Sequence, residues 1–465
     1  MQRTHKIIGL ILILCALSWT VTAYVMAATP SQITYLSPGS LTETASIVIF
    51  NEADSTFFYK DGETGQITSS TNAATILQTA LNTIPYAEGD TFPATYSQRT
   101  IYVKGGIYSI GTTQLNLTTY SRNFKLVFEP SAQIYYTGTD YAILLANAER
   151  FSIEGLNVLA PNGGALQIGK QGVGGAATWV IEPSYLLTKT GIFVEAGNEG
   201  TIRGGKIACA NVQEGGSRGL VLGGNSTTET WADTITVERT VFKNIKYAIV
   251  LGEQTWEGKA PETITIHAGI YDCELSIVVY ACRNLVISEC SFENSEYAGI
   301  TYIGILNDNT GGYDVPRTIT IENNRFHTQI GATLVNALHI SNYVYYLTAR
   351  NNYWSTNTLI YLGTNFRYGS VDITDVDRWN VTNNAWSVVS VYSQKNRGYD
   401  SLVEGQVNTT ITLPQALPHT NYKVFFSLDW SPSNVPIISA KGGTSFTIAY
   451  GEAAPAGAHI TWVLE

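Results

Sequence analysis

Charged side chains make up only 14% of this 465-residue chain, methionine occurs twice, and there are just five cysteines and six histidines. Basic residues number 27 against 37 acidic ones, for a net charge of −10, and nowhere form a run. Such a surface repels a phosphate backbone, which excludes nucleic acid as a partner. Cys and His are too scattered to give the spacing of a zinc site. Low charge comes with 44% apolar residues, so the chain is not disordered. Cys15 sits in the one long apolar run, leaving Cys209, Cys273, Cys282 and Cys290. An even number of cysteines in an exported chain admits disulfides, while cysteines in successive repeats suit the role of small buried apolar residues. Both readings stay open.

What the chain does have is a repeated eight-residue phrase. It reads ITVERTVF at 235–242, ITIHAGIY at 264–271, LVISECSF at 285–292, ITIENNRF at 319–326 and YLTARNNY at 346–353, with a degenerate copy, WNVTNNAW, at 379–386. Each copy alternates apolar and polar residues over one short strand, turns on polar residues and closes on an aromatic. Start-to-start spacings of 29, 21, 34, 27 and 33 residues are too irregular for helical repeats. They suit a coil of strands with variable inserts, a parallel β-helix in which each rung contacts only its neighbours. Weaker copies at 151–158 and 200–207 bring the expectation to about ten rungs. On this register Phe242, Tyr271, Phe292, Phe326 and Tyr353 form one interior or turn-adjacent column, and Asn244 and Asn294 either stack into a polar ladder or are ordinary turn residues.

The N-terminus, MQRTHK followed by an apolar stretch from Ile7 to Val25 and small residues at Ala27 and Ala28, reads as a secretory signal; at 19 residues the stretch is also long enough to be a retained membrane anchor. Residues 1–28 are assigned to this segment and 29–70 to leader strands, with the bulk of the chain outside the cytoplasm. The segment TNAATILQTALNTI places Ile76, Leu77, Ala80, Leu81 and Ile84 on one helical face, with Ser70 to Asn72 as N-cap candidates. A helix directly before the first rung covers the coil's open end, whose unpaired edge would otherwise template aggregation. Residues 71–400 are assigned to the coil. From 401 to 465 the phrase disappears, prolines cluster and short strands are joined by hairpin-sized loops, which describes a small antiparallel β-sandwich.

AATILQTALNTI, then TIYVKGGIYSI, then LVFEPSAQI at Leu126–Ile134, together with the phrase repeats, resemble the pectin-lyase-like superfamily of right-handed parallel β-helix proteins over roughly residues 45 to 400. The opening SIVIF…FFYKDGETGQI is similar to leaders of secreted archaeal β-helix proteins, and the C-terminal segment looks like the terminal knobs of phage tail fibres. The resemblance implies an all-β fold: a right-handed solenoid with an N-terminal capping helix and a C-terminal sandwich, as a monomer or a homotrimer. It fixes no activity, because that superfamily hosts lyases, hydrolases, epimerases, tailspikes and adhesins.

Rung-length variation locates the chemistry. Surplus residues at 169–190, 223–233, 252–262, 305–317 and 364–377 fall just before the next opening strand, so the inserts rise as a wall on one side. Each carries an aromatic residue: Trp179, Trp231, Trp256, Tyr313 and Tyr368 (with Phe366). Aromatic platforms match the apolar faces of sugar rings and neighbouring carboxylates match their hydroxyls, so these residues are the carbohydrate-binding candidates; the alternative is that they pin their own loops to the coil. Weaker catalytic candidates are the pairs Glu253 with Glu257 and Asp308 with Asp314, and Asp372, Asp375 and Asp377 have the oxygen ligands Ca²⁺ requires. No Asp-Asp dipeptide occurs, and the polygalacturonase, pectate lyase and alginate epimerase signatures are missing. Sequons at Asn116, Asn225, Asn380 and Asn408 are glycan acceptors if the host glycosylates exported proteins. The sequence thus points to an exported or cell-surface protein that recognises polysaccharide, ahead of a polysaccharide lyase or glycosidase and of a structural spacer.

Overall fold

A computed structural model describes residues 46–52, 55–84, 99–209, 216–223, 232–252, 260–294, 300–306, 316–328, 335–341, 344, 346–354, 358–362, 370–373, 381–382, 397–413 and 423–464. Strands dominate, and all but six of them join one continuous, almost wholly parallel sheet wound into a coil. Successive turns open at residues 99, 121, 148, 176, 197, 232, 262, 284, 318 and 346, giving ten rungs, and the strand Ser370–Ile373 begins one more. Each rung lays down three strands on three faces. Rung six, for example, places Ala232–Lys243 across the first two faces and Tyr247–Leu251 on the third. Its residues pair in register with the rungs on either side. The protein is a right-handed parallel β-helix, the hand that parallel crossovers almost always take.

The interior is a set of stacked apolar columns. On the third face Ile192, Leu220, Ile249, Ile277, Ile303 and Leu338 pair one above another, all at 0% exposure. On the second face the inward column runs Ile207, Phe242, Ile270, Phe292, Phe326. Phe292 and Phe326 stack with ring centroids 4.8 Å apart and planes 4° from parallel.

This column corrects the expected one at two positions. Tyr271 pairs with Lys243 and Glu293, and Tyr353 pairs with Arg325, so both point outward. Tyr353 is 63% exposed. For Tyr353 the cause lies in where rung ten starts, and for Tyr271 it lies at the corner between the first and second faces. Arg239, Glu289, Asn323 and Asn351 sit there in the left-handed region, φ 53–57°, as one extra residue per corner. Rung seven has no such residue between Ile266 and Ile270, so its phrase runs one residue ahead. Rung ten pairs Leu347, not Tyr346, with Ile319. A slip of one residue moves a strand side chain to the other face.

The asparagine ladder exists but not where expected. Asn244 and Asn294 lie two turns apart with Asp272 at the position between, one residue beyond the paired Lys243, Tyr271 and Glu293. The ladder is formed instead by Asn324 and Asn352, both buried behind the left-handed corner residues. Cys290 N–H donates to Asn324 Oδ1 at 2.9 Å, and Asn324 N–H donates to Asn352 Oδ1 at 3.1 Å. Asn324 Nδ2 donates to Ile287 O and to Asn352 Oδ1, and Asn352 Nδ2 to Ile321 O. Cys290 continues the ladder one turn earlier, its sulfur accepting from Ala268 N–H and donating to Ile266 O, both at 3.3 Å. Cys209, Cys273, Cys282 and Cys290 are all unbridged. Burial pushes the Cys273 and Cys290 thiols up to about 12 and raises Cys282 as well, which disfavours the thiolate at all three.

The capping helix spans Ala73–Asn82 and buries Ile76, Leu77, Ala80 and Leu81. Asn72 is its N-cap, with Oδ1 accepting from Ala74 N–H at 2.9 Å. Its role at the open end is explicit. Gln78 Nε2 donates to Asn116 O at 2.8 Å while its Oε1 accepts from Asn116 N–H at 2.9 Å. One side-chain amide thereby satisfies both groups of an edge residue in the strand Leu115–Leu117. Ile47–Asn51 pairs parallel with Arg99–Val103 and closes the first face in the same way.

The C-terminal region forms two three-stranded antiparallel sheets, Arg397–Ser401, His459–Leu464 and Val424–Leu428 in one, Asn408–Thr412, Ser445–Ala449 and Ile437–Lys441 in the other. Phe446 from one sheet meets Trp462 from the other edge-on at 5.3 Å in a separate core, which makes the pair a sandwich. The first of its strands is Arg397–Ser401.

Candidate functional site

The long inserts concentrate at one corner of the coil. The segments 169–175, 223–231, 252–261, 306–317 and 363–369 all leave from the end of a third-face strand and return to the start of a first-face strand. Their points of departure are stacked, since Leu222, Leu251, Val279 and Ile305 pair in succession. The segments carrying Trp231 and Trp256 therefore leave from adjacent rungs, ~4.8 Å apart, and the one carrying Tyr313 leaves two rungs further on. A second group of inserts, 209–217, 295–300 and 329–334, connects the end of a second-face strand to the start of a third-face strand. The repeat spacing reports only the total length of a rung and leaves this division unread.

Most of the expected site residues, Trp231, Trp256, Tyr313, Tyr368, Glu253, Glu257, Asp308, Asp314, Asp375 and Asp377, lie outside the described residues, as does Phe366. Asp372 falls within the strand Ser370–Ile373, its backbone pairing with Thr348. Among the described residues no group of three or more acidic, His or Cys side chains is placed to hold a metal.

Trp179 is a correction. Residues 169–190 are not one insert: only 169–175 form a turn, closed by Lys170 N–H to Gly174 O at 2.9 Å, and Ala176–Val194 is the fourth rung itself. Trp179 points into the coil at 1% exposure. It fills the space above Gly200, where a Cβ would come within 2.0 Å of the indole ring. An aromatic residue paired in register with glycine is a packing unit, so Trp179 offers no surface to a sugar.

The outward side of the third face is covered over much of its length. Leu144, Gln167, Val221, Val250 and Val278 point away from the interior and are nevertheless buried. A polar cluster interrupts this stripe. Gln167 Nε2 donates to the Glu195 carboxylate at 2.7 Å, with Glu195 8% exposed. Tyr141 stacks against Phe193 at 5.9 Å, and burial raises its hydroxyl well above the ordinary range.

A shallow, open cleft lies elsewhere, at the corner between the first and second faces in rungs nine and ten. Its volume is about 470 Å³, within the ~300–1,000 Å³ of small-ligand sites, and Asn323, Asn324, Arg325, Asn351 and Tyr353 line it. Asn323 and Asn351 are presented outward by their left-handed backbones, while the next residues, Asn324 and Asn352, turn in to the ladder. Arg325 and Tyr353 are adjacent on the second face, paired across the rungs. The Asn-Asn pairs in IENNRF and TARNNY were the sequence signal for this corner. Their alternate inward and outward placement follows only once the extra left-handed residue is known.

No protein-family model matches the chain, and no curated protein matches it. Several solved structures are similar in architecture. The tailspike protein gp49 from Pseudomonas phage LKA1 matches 79% of this chain and 66% of its own, under two thirds, at 9% identity and a TM-score of 0.39. A tailspike mutant of E. coli bacteriophage HK620 in complex with hexasaccharide matches 79% and 81%, at 10% identity and 0.45. The A-module of the Azotobacter vinelandii mannuronan C-5 epimerase AlgE6 matches 63% and 90%, at 12% identity and 0.40. The fold assignment rests on the strand register itself, and by that register the chain is a right-handed parallel β-helix, the architecture of the superfamily its sequence resembles.

Proposed function

We propose that this is an exported or cell-surface protein that binds polysaccharide without cleaving it, holding the polymer along the corner where the long inserts emerge. The observation that carries the reading is the stacking of the insert departure points at Leu222, Leu251 and Ile305, which repeats an attachment site along the rod. A repeating array suits a repeating ligand. Trp231, Trp256, Tyr313 and Tyr368 supply the platforms, and the acidic residues among them hydrogen-bond sugar hydroxyls. The N-terminal segment 1–28 directs export or anchors the chain, and Asp372, Asp375 and Asp377 are the place for Ca²⁺ if one is bound.

The test is a panel of pectin, alginate, xylan and bacterial exopolysaccharides incubated with the full chain, with and without Ca²⁺. Retention on the polymer is measured alongside reducing ends and absorbance at about 235 nm, near neutral pH. The expected result is retention of at least one polymer with its length unchanged. Release of products that is abolished by Glu257→Gln or Asp314→Asn replaces binding by catalysis.

A further inference from the structure

We infer that the cleft at the corner of rungs nine and ten is a second saccharide site, separate from the insert corner, and that it takes a sugar bearing a single carboxylate. Tyr353 supplies the platform: it is 63% exposed and lines the cleft. Arg325 is its neighbour across the rungs, and the two flank the cleft.

The state of Arg325 argues for the carboxylate. Three arginines on this coil are matched across rungs by an acid, Arg203 with Glu182, Arg283 with Glu262, and Arg350 with Glu322 at 2.8 Å, while Arg325, like Arg239 and Arg317, has no such match among the described residues. Arg325 stands between Ser291 below and Tyr353 above, neither of which can neutralise it. Glu322, the acid nearest in sequence, is already held by two nitrogens of Arg350. A guanidinium matches a carboxylate with two parallel hydrogen bonds, so the missing partner is one a ligand can bring. The exposed Asn323 beside it adds amide hydrogen bonding to sugar hydroxyls.

Charge nearby sets the number of carboxylates. Glu289 occupies the corner position one rung before Asn323, and Glu293 lies on the same outer face, paired with His327. With a net charge of −10 overall, these acids disfavour a polymer carboxylated at every sugar. They leave room for one carboxylate flanked by neutral sugars.

The inference extends the polysaccharide reading but does not depend on the insert corner. Its test uses the full chain titrated with three probes: a hexasaccharide alternating glucuronate with N-acetylglucosamine, its carboxyl-reduced form, and a hexagalacturonate. The alternating hexamer is expected to bind best. Arg325→Ala weakens it about 10- to 100-fold, the scale of a lost charge-assisted hydrogen-bonded pair, while Arg325→Lys keeps part of the affinity. Tyr353→Ala weakens the hexamer and its reduced form alike, and Arg325→Ala leaves binding of the reduced form unchanged. No hexamer binding by the wild type, equal binding by Arg325→Ala, or a preference for the reduced form or for hexagalacturonate overturns the inference. Alanine at Trp231, Trp256 and Tyr313 together leaves hexamer binding intact. A loss there assigns the hexamer to the insert corner instead and rejects a separate site.

Discussion

Asn324→Ala is expected to destabilise the coil by about 3–5 kcal/mol, several buried groups losing their partners at ~1–3 kcal/mol each. The side chain is 1% exposed and holds three neighbours at once. Its Oδ1 takes the Cys290 N–H, and its Nδ2 serves Ile287 O and Asn352 Oδ1. Alanine removes the side-chain partner of Cys290 N–H and of Ile287 O in a buried place and leaves Asn352 Oδ1 only the backbone N–H of residue 324, whereas most surface substitutions change stability by no more than ~0.5 kcal/mol. Because Cys290 fills the same place one rung earlier with a sulfur that both accepts and donates, Asn324→Cys is expected to recover part of the loss. Urea unfolding followed by circular dichroism reads both. A change under about 1 kcal/mol for the alanine variant would mean the ladder is ornamental.

Phe292→Ala is expected to cost about 3–5 kcal/mol through lost burial and the cavity left behind. Phe292 is wholly buried, stacked on Phe326 at 4.8 Å and against Tyr302 at 5.5 Å. Its neighbours belong to rungs seven, eight and nine, whose spacing is fixed by backbone hydrogen bonds, so the hole has little freedom to close. Tyr353→Ala is the control. Both residues close the repeated phrase, yet Tyr353 faces solvent, and its removal should shift the urea midpoint little. Equal losses at the two positions would contradict the register described above.

The contrast between those two aromatics shows where sequence reading succeeds and where it stops. Alternation of apolar and polar residues identified the strands, because the inward columns must be apolar at every rung. The capping helix was equally legible, since Ile76, Leu77, Ala80 and Leu81 recur at helical spacing after Asn72. Insert positions before each opening strand followed from the phrase spacing. What alternation does not report is a single left-handed residue at a corner. Arg239, Glu289, Asn323 and Asn351 carry different side chains, and only their φ angles are alike. The absence of one from rung seven puts Tyr271 outside the core column, and the register of rung ten on Leu347 rather than Tyr346 does the same for Tyr353. Trp179 was misread for a related reason: without the register, Gly200 lying across from it could not be seen to make its room. The Arg325 cleft depends on the same corner and was therefore invisible as a site, although every residue that lines it stands in two of the repeated phrases.

Glycan binding by the insert corner is tested most directly by a single comparison of affinities. The full chain and its Trp231→Ala/Trp256→Ala/Tyr313→Ala variant are titrated by isothermal calorimetry with whichever polymer of the panel the wild type retains. Each stacking platform is worth ~1–3 kcal/mol, so the variant should bind at least about tenfold more weakly while unfolding at the wild-type urea concentration. Equal affinity in the two proteins would contradict the account.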